Sequence, residues 1–407
     1  MCQVSVIIPV YGVEKWLPAC LDSVLSQSLR QLEILAVDDA SPDGCGKILD
    51  EYAGRDSRLR VFHLSENRQQ GYGRNLGLAN ACGRYVYFLD ADDCIRPNAL
   101  QELYEAAEED QLDGILFDSE PLYESAALAR QYGSYVAAFD GNCPEGVCSG
   151  RSLFHALSTQ NQWTCYIQRQ FWRRSFLEEH SLRFPEGTEH EDEFFSFCAV
   201  LSAGRMRYLH QAYFLRRYRP ESVMTRKADS RDFHGYFSIF HSLTDFIWQH
   251  GFQDDPGVRI QLGRLWDRCL RYYPVFAAQA CPEKWFPDPE MLHRYHGFEA
   301  AQWRQEYDGC SVESLLPQLP REEEIWIYGA GVLGQRCFRG LSAAGCRIAG
   351  FLVSRHEGNP ETLFGRPVLT LDEADQPGCA VVALSRGYLE EVHPALETAQ
   401  WRCWDMP

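Results

Sequence analysis

Strand and helix patterns alternate over residues 4–118, and this restricts the possible folds more than any other feature of the chain. Five short runs there are apolar almost throughout: VSVIIPV (4–10), LEILAVDD (32–39), LRVFHL (59–64), YVYFLD (85–90) and GILFD (114–118). Continuous apolar runs of this length are typical of strands that are covered on both faces. The segments between them have one apolar helical face, as in Leu17, Leu21, Val24 and Leu25. The pattern predicts an α/β fold, with a mostly parallel sheet and helices on both faces.

Polar residues follow the predicted strands, where open α/β sheets bind their ligands. They are Pro9-Val10-Tyr11, Asp38-Asp39-Ala40-Ser41, Glu66-Asn67-Arg68 and Asp90-Ala91-Asp92-Asp93. The last group places three mutually repelling carboxylates within four positions, which indicates a positively charged ligand. An Asp-x-Asp at a strand end suits one magnesium or manganese ion, because these cations prefer oxygen ligands. The spacing also fits a solvated turn in which Asp93 caps a helix.

Three longer stretches resemble the family 2 glycosyltransferases of the GT-A fold. They are VSVIIPVYGVEKWLPACLDSVLSQSLRQLEILAVDDASPDGCGKILDEYA, ENRQQGYGRNLGLANACGRYVYFLDADD and LRFPEGTEHEDEFF, and the similarity covers about residues 1–225. The resemblance implies a metal-dependent, inverting enzyme of the hexosyltransferase type, with Mn²⁺ or Mg²⁺ as cofactor. Its donor is expected to be a nucleotide-diphosphate sugar, most simply a UDP-sugar. The acceptor is expected to be a hydroxyl of a glycan or lipid-linked sugar, in bacterial cell-surface polysaccharide synthesis.

The resemblance assigns the nucleotide pocket to Pro9, Tyr11 and Asp39. The chemistry agrees, because a carboxylate accepts a hydrogen bond from the uracil imide and a tyrosine ring stacks on the base. One aspartate of VDDAS then only caps the turn after its strand. The segment GYGRNLG (71–77) opens the helix beside the nucleotide, which predicts that Arg74 faces the diphosphate. A surface salt bridge is the competing role for this arginine.

The DADD segment is expected to hold the metal. The resemblance assigns Asp92 to the metal directly and Asp90 to the ribose or a metal-bound water, so both are predicted at the metal site. The later segment FLRRYRPESVMT (214–225) is similar to the family's closing segment, with Arg217 and Ser222 in the matching places. A mobile arginine would suit the diphosphate there. Arg219 lies nearby, so which arginine contacts phosphate stays open.

Inverting transfer of a sugar needs a carboxylate to remove the acceptor hydroxyl proton. The family's Glu-Asp pair corresponds to Glu191-Asp192 in HEDEFF, which makes Asp192 the expected base. Crowding by Glu191 and Glu193 would raise the pKa of Asp192 toward a useful value. From spacing alone, the acidic run could equally complement the dipole of a helix start.

The sequence predicts three parts: a GT-A domain over 1–225, a helical segment over 226–318 and a small Rossmann-like domain over 319–407. In the last part, a loop with Gly329, Gly331 and Gly334 joins a strand to a helix, as a second nucleotide site would require. Ser354 stands where an acidic residue would bind a ribose. The alternatives are therefore an NAD-dependent oxidoreductase centred on this loop and a non-catalytic sugar-nucleotide-binding protein.

The charge of the chain excludes one class of partner and leaves others open. With 39 basic and 57 acidic side chains the net charge is −18, which argues against nucleic-acid binding. No run of about 18 apolar residues is present, so a cytoplasmic protein is expected. Peripheral contact with the inner face of the membrane and formation of a homodimer stay open. The 16 cysteines show no zinc spacing and are expected to be reduced.

Overall fold

The computed structural model describes most of the chain, namely residues 2–132, 141, 143–219, 228–279, 281–306, 312–320, 323–356, 359–374, 376–384 and 386–405. Its contacts define two compact units, Met1–Gln279 and Ala280–Pro407. The boundary between them lies inside the helical segment predicted over 226–318. The predicted boundary at residue 225 lies outside the described residues, and the three-part division stays a prediction.

Within the described residues, the first unit contains a sheet of eight strands in the order β3-β2-β1-β4-β7-β6-β8-β5. The strands are β1 (Val4–Val10), β2 (Leu32–Asp38), β3 (Leu59–His63), β4 (Tyr85–Phe88), β5 (Cys94–Ile95), β6 (Gly114–Tyr123), β7 (Gln170–Arg173) and β8 (Met206–Tyr218). β1 pairs in parallel with β2 and β4, as do β2 with β3 and β6 with β8. β7 is antiparallel to β4 and β6, and β5 is antiparallel to β8. The predicted α/β fold is confirmed, with a more mixed sheet than the alternating pattern indicated.

Helices cover both faces of this sheet, which explains the continuous apolar runs. They are α1 (Leu17–Leu25), α2 (Cys45–Ala53), α3 (Gln69–Asn80), α4 (Ala99–Glu109), α5 (Ala126–Tyr132), α6 (Gly150–Thr159), α7 (Arg174–Glu179), α8 (Glu191–Ser202), α9 (Ser230–His250) and α10 (Pro256–Gln279), with a short 3-10 helix at Ile167–Arg169. Val6 and Ile8 point into one buried cluster, whereas Ile7 points into the other. Successive strand residues therefore serve opposite faces.

The glycines of GYGRNLG allow α3 to lie directly on the sheet. A Cβ atom on Gly77 would collide with Cγ2 of Ile7 in β1, and one on Gly71 would collide with the carbonyl oxygen of Pro185. This close approach buries Arg74, which has only 2% of its surface exposed. The glycine pattern therefore serves helix packing here and does not form a phosphate-binding loop.

The second unit contains a six-stranded sheet in the order β11-β12-β10-β9-β13-β14 among its described residues. The strands are β9 (Ile325–Tyr328), β10 (Ile348–Val353), β11 (Thr362–Leu363), β12 (Arg366–Thr370), β13 (Cys379–Val382) and β14 (Arg402–Asp405). Apart from the antiparallel pair β11–β12, neighbouring strands are parallel. The helices are α11 (Pro282–Trp285), α12 (Pro289–Glu306), α13 (Val312–Leu315), α14 (Val332–Ala343) and α15 (Arg386–Thr398). Across the described parts of both units, none of the helices combines the length and apolar character needed to cross a membrane.

Candidate functional site

The carboxyl ends of β1, β2 and β4 lie side by side, because β1 is parallel to both of its neighbours. The strand order also reverses at β1, with β2 and β3 on one side and β4 on the other. Open α/β sheets bind ligands in the crevice at such a reversal. The predicted site residues Pro9, Tyr11, Asp39 and Asp90 all lie in or directly after these three strands.

Tyr11 and Asp39 differ sharply in exposure at this edge. The Tyr11 side chain is 51% exposed, whereas Asp39 is 4% exposed and Pro9 is buried within β1. Oδ1 of Asp39 accepts a hydrogen bond from the backbone N–H of Arg68 at 2.6 Å, which fixes the chain just before α3. Burial, followed by the neighbouring Asp38, raises the pKa of Asp39 above its ordinary value. The exposed ring of Tyr11 and the fixed carboxyl of Asp39 therefore lie at the edge of the sheet where the nucleobase of the donor is predicted to bind.

Arg74 connects the edge of the sheet to the start of α8. Its Nη2 contacts Oδ1 of Asp90 at 2.8 Å, and its Nη1 forms an ion pair with Oε1 of Glu191. The guanidinium also lies 5.3 Å from the ring centre of Phe184. Arg74 was predicted to face the diphosphate, but in the structure it faces two carboxylates of the protein, because α3 packs too closely on β1 to leave it at the surface. Its contact with a donor stays a prediction.

Two arginines at the end of β8 hold the DADD segment in place through an ion pair and hydrogen bonds. Nε of Arg219 pairs with Oδ2 of Asp92 at 2.7 Å, and Nε of Arg217 donates to the backbone oxygen of Asp92 at 2.7 Å. The backbone N–H of Arg217 donates to Oδ1 of Asp93 at 2.6 Å. Arg217, predicted to contact phosphate, thus holds the turn in this structure, and Arg219 faces the carboxylate predicted to bind metal.

The three carboxylates of this segment are not equivalent. The side chains of Asp90 and Asp92 are 25% and 20% exposed, and each keeps one carboxylate oxygen outside its ion pair. Asp93 is buried, and its pKa lies well above its ordinary value because of burial and the charges of Asp92 and Asp90. Burial and Asp90 also raise the pKa of Asp92. Asp90 and Asp92 each therefore have a carboxylate oxygen that could ligate a divalent cation, whereas the Asp93 carboxylate accepts from the backbone of Arg217 and holds the turn.

Three consecutive carboxylates begin α8, and the outer two are neutralised. Glu191 pairs with Arg74, and Glu193 forms an ion pair with Nη1 of Arg268 from α10. Asp192, between them, forms no ion pair with a described residue. Its Oδ1 accepts from the backbone N–H of Glu193 at 3.0 Å. Within the described part of the chain, Asp192 is therefore the carboxylate of the predicted pair that has no ion-pair partner.

The surroundings of Asp192 suit it to proton transfer. Burial raises its pKa from 3.8 to about 7, helped by the charges of Glu191 and Glu193 and opposed by those of Arg74 and His190. A carboxylate of this kind takes up a proton near neutral pH, as a general base requires. Because Glu191 and Asp90 share Arg74, the candidate base lies in the same charged network as the candidate metal ligands.

The glycine loop of the second unit is explained largely by backbone geometry. Gly329 has φ +111°, and a Cβ on Gly334 would collide with the carbonyl oxygen of Gly329. A Cβ on Gly331 would meet open space. Ser354 hydrogen-bonds with the hydroxyl of Tyr328 at 3.0 Å. A second nucleotide site at Gly329, Gly331 and Gly334 stays a prediction.

Two contacts of the candidate site were missed by sequence reasoning. The Arg219–Asp92 ion pair joins positions 127 residues apart, and the thiol of Cys165 lies 3.6 Å from Oδ2 of Asp192. The run of arginines in FLRRYR was a signal for the first contact, but nothing in the sequence marks Cys165. The predicted Ser222 lies outside the described residues.

Comparison with known proteins agrees with this geometry. The model of the family "Glycosyl transferase family 2" matches residues 5–123. An uncharacterized glycosyltransferase of Haemophilus influenzae is 30% identical over 236 residues, which are 56% of this chain and 85% of the relative. The uncharacterized glycosyltransferase EpsJ of Bacillus subtilis is 35% identical over 227 residues, 54% of this chain. The match spans 62% of EpsJ, less than two thirds of its length.

Solved structures agree on the fold. The structure of residues 1–349 of TarS from S. aureus, in complex with UDP-GlcNAc, superposes with a TM-score of 0.51. The match covers 69% of this chain and 77% of the solved 1–349 chain, at 22% sequence identity. The family model and the sequence relatives show that the chain belongs to glycosyltransferase family 2, and the strand order with the TarS superposition shows the GT-A fold.

Proposed function

We propose that this chain is a metal-dependent, inverting glycosyltransferase. It transfers a sugar from a nucleotide-diphosphate donor to a hydroxyl of a glycan or lipid-linked acceptor in bacterial surface polysaccharide synthesis. The observation that carries the proposal is Asp192, which has no cation partner among the described residues and has a pKa of about 7. A binding protein would have no need of such a group.

The edge of the sheet supports donor binding. The exposed ring of Tyr11 offers a stacking surface for a base, and Asp39 lies beside it as a hydrogen-bond acceptor. Asp90 and Asp92 would hold a divalent cation through their oxygens. When bound, Mn²⁺ or Mg²⁺ neutralises the charge that develops on the departing diphosphate. UDP is the first nucleotide to test, since TarS was solved with UDP-GlcNAc.

The bond changes follow from the position of the base. Asp192 accepts the proton of the acceptor hydroxyl while the hydroxyl oxygen attacks the anomeric carbon of the donor sugar. The bond between that carbon and the diphosphate oxygen breaks, and the nucleoside diphosphate leaves with the electron pair. Attack opposite the leaving group inverts the anomeric centre. Arg74 pairs with both Glu191 and Asp90, and its positive charge lowers the pKa of Asp192 against the effect of Glu191.

Donor binding is expected to depend on a divalent cation. In calorimetric titrations, UDP should bind with Mn²⁺ present, and removal of the metal with EDTA should weaken binding about a hundredfold. Asp92→Asn should have the same effect, because it removes an anionic ligand at nearly constant shape. Asp22→Asn is the matched control, since Asp22 lies at the surface of α1.

The same titration separates the alternatives. NAD, titrated in parallel, is expected not to bind. Binding of NAD without binding of UDP under any condition would favour an oxidoreductase centred on the glycine loop. Tight UDP binding without turnover of any donor sugar would favour a non-catalytic sugar-nucleotide-binding protein.

Turnover is expected to rise with pH through about 7. Asp192 acts as a base only when deprotonated, so kcat/KM should fall about tenfold for each pH unit below its pKa and level off above it. Initial rates from pH 5.5 to 8.5, at fixed Mn²⁺, would measure this profile. A profile that is flat across this range, or that falls with rising pH, would exclude Asp192 as the base.

A further inference from the structure

Four hydrogen bonds, two buried and two partly buried, connect Trp172 in β7 to Asp192. Nε1 of Trp172 donates to Oε1 of Gln170 at 3.1 Å, and Nε2 of Gln170 donates to Oγ of Ser196 at 2.8 Å. The Ser196 hydroxyl donates to the backbone oxygen of Cys165 at 2.8 Å. The Cys165 thiol, at 3.6 Å, then donates to Oδ2 of Asp192. We call this series the Trp172–Asp192 chain.

The direction of every bond in this chain is determined by chemistry. An indole N–H only donates, so Trp172 fixes the amide oxygen of Gln170 toward itself and the amide nitrogen toward Ser196. The Ser196 oxygen accepts from that nitrogen, which leaves its proton for the carbonyl of Cys165. The sequence of donors and acceptors has no alternative arrangement that satisfies all of these groups.

The first three residues of the Trp172–Asp192 chain are buried, where unpaired polar groups are costly. Trp172 and Ser196 are 0% exposed and Gln170 is 1% exposed. Apolar side chains of similar shape would pack there without any need for matched donors and acceptors. The polar residues are therefore best explained by the group in which the chain ends.

Cys165 is held at two points by one turn of α8. Its carbonyl oxygen is bonded by Ser196, which lies four residues after Asp192 on the same helix, and its thiol contacts Asp192 itself. The pKa of Cys165 lies well above its ordinary value because of burial and the charge of Asp192, so the thiol stays protonated and remains a donor.

We propose that Cys165 is a positioning residue for Asp192, held in place by Ser196, Gln170 and Trp172. The inference rests on the proposed function, since it takes Asp192 as the base. The thiol keeps the carboxylate in one orientation toward the acceptor hydroxyl, and its hydrogen bond stabilises the ionised form.

Other charged groups act on the same carboxylate and must be held constant in a test. Arg74 from α3, His190 before α8, and Glu191 and Glu193 within α8 all influence the pKa of Asp192. Arg268 from α10 neutralises Glu193. A substitution at Cys165 replaces none of these residues, but the thiol also interacts with Glu193. The titration of Cys165→Ala is therefore compared with that of Cys165→Ser, which keeps a hydrogen-bond donor at the same place.

The test compares Cys165→Ala and Cys165→Ser with a matched control, Cys198→Ala. Cys198 lies in α8 and is buried, whereas Cys165 is partly buried, so truncation of Cys198 tests the cost of a cavity in α8 itself. Among the described residues, Cys198 forms no hydrogen bond with Asp192. The full chain labelled with ¹³C at aspartate carboxyl carbons is titrated by NMR, and the resonance absent from Asp192→Asn identifies Asp192. Initial rates with the donor and acceptor provide kcat and KM.

Loss of the thiol should raise the pKa of Asp192 by about half a unit to one unit, because a donor to the ionised form is removed. At pH 7, kcat should fall about fivefold to tenfold with KM nearly unchanged, as expected for a weak hydrogen bond in the reaction step. Cys165→Ser should restore most of both quantities, and Cys198→Ala should change neither.

The NMR titration of Asp192 and the rates of sugar transfer test the inference and the proposed function separately. An unchanged Asp192 titration in Cys165→Ala overturns the inference, whatever the activity. If the Asp192 titration shifts in Cys165→Ala but the wild-type protein turns over no donor sugar, the contact between Cys165 and Asp192 is supported and the proposed function is overturned. A fall in kcat that Cys198→Ala reproduces would show that the loss comes from the cavity and would also overturn the inference.

Discussion

Replacing Asp192 by asparagine is expected to lower kcat for sugar transfer about a thousandfold while leaving UDP affinity almost unchanged. Asparagine has nearly the same shape but cannot accept the acceptor proton. The residues predicted to bind the donor, Asp39, Asp90 and Asp92, are not altered by the substitution. Single-turnover rates and calorimetric UDP binding, measured on one preparation, separate the two effects.

The same substitution should increase stability above neutral pH. Asp192 has a folded-state pKa of about 7, raised from 3.8 by burial and by Glu191 and Glu193. Because the pKa of this carboxyl is higher in the folded than in the unfolded protein, its contribution to the free energy of unfolding is fully present below about pH 4. That contribution is lost as the pH rises through 7 and the buried carboxyl ionises. Asp192→Asn removes this loss, so the free energy of unfolding at pH 8 should rise by about 1 to 3 kcal/mol, with a smaller gain at pH 5.5.

Glu178→Gln provides the matched control for both measurements. Glu178 is an exposed carboxylate on α7 that pairs with Arg183 at 2.6 Å, so its neutralisation should change neither turnover nor stability appreciably. Retention of more than a tenth of wild-type kcat in Asp192→Asn would mean that another group removes the proton. A loss of stability at pH 8 would mean that the carboxylate is better accommodated in the fold than its burial indicates.

The strands that carry a continuous apolar run could be predicted, and the strands without one were missed. β1 begins and ends where its continuous apolar run does, because helices cover both of its faces. β8 (Met206–Tyr218) mixes buried and exposed residues, and its pairing with β6 shifts register at Asp118, so neither strand nor helix periodicity emerges. β7 is four residues long and includes a charged side chain.

The site was predictable as a set of residues but not as a set of contacts. The carboxylates at 90, 92 and 192 follow from their places after strands and from the family resemblance. The pairing of Arg74 with Glu191 joins residues 117 positions apart and exists only because glycines let α3 approach β1. Composition and spacing carry no information about such a pair. The family resemblance predicts that Arg74 faces the diphosphate, and that contact stays a prediction.

Replacing Arg74 by methionine is expected to lower the free energy of unfolding by about 3 to 5 kcal/mol. The substitution preserves much of the volume but leaves Asp90 and the buried Glu191 without their shared cation. An uncompensated carboxylate in a buried position is costly, because it loses hydration without gaining a partner. Urea denaturation of the full chain, followed by circular dichroism, measures the change.

Arg84→Met is the matched control for this experiment. Arg84 pairs with Glu108 at 2.8 Å, as closely as Arg74 pairs with Asp90, but its side chain is 51% exposed. Its loss should cost no more than about 1 kcal/mol. A second comparison uses Arg74→Met combined with Glu191→Gln, which should recover part of the stability because one orphaned charge is removed. If Arg74→Met and Arg84→Met lower the free energy of unfolding equally, burial of the ion pairs of Arg74 contributes nothing to stability.

Arg74→Lys distinguishes the structural role of this residue from the predicted contact with the diphosphate. Lysine keeps the positive charge but lacks the planar fork that contacts Asp90 and Glu191 simultaneously. If the main role of Arg74 is to pair with Asp90 and Glu191, the free energy of unfolding should fall. UDP affinity should then change little under conditions where the variant is folded. If the diphosphate is a direct partner, UDP affinity should fall even where stability is retained. Since both terminal nitrogens of Arg74 are engaged by the protein, the first result is expected.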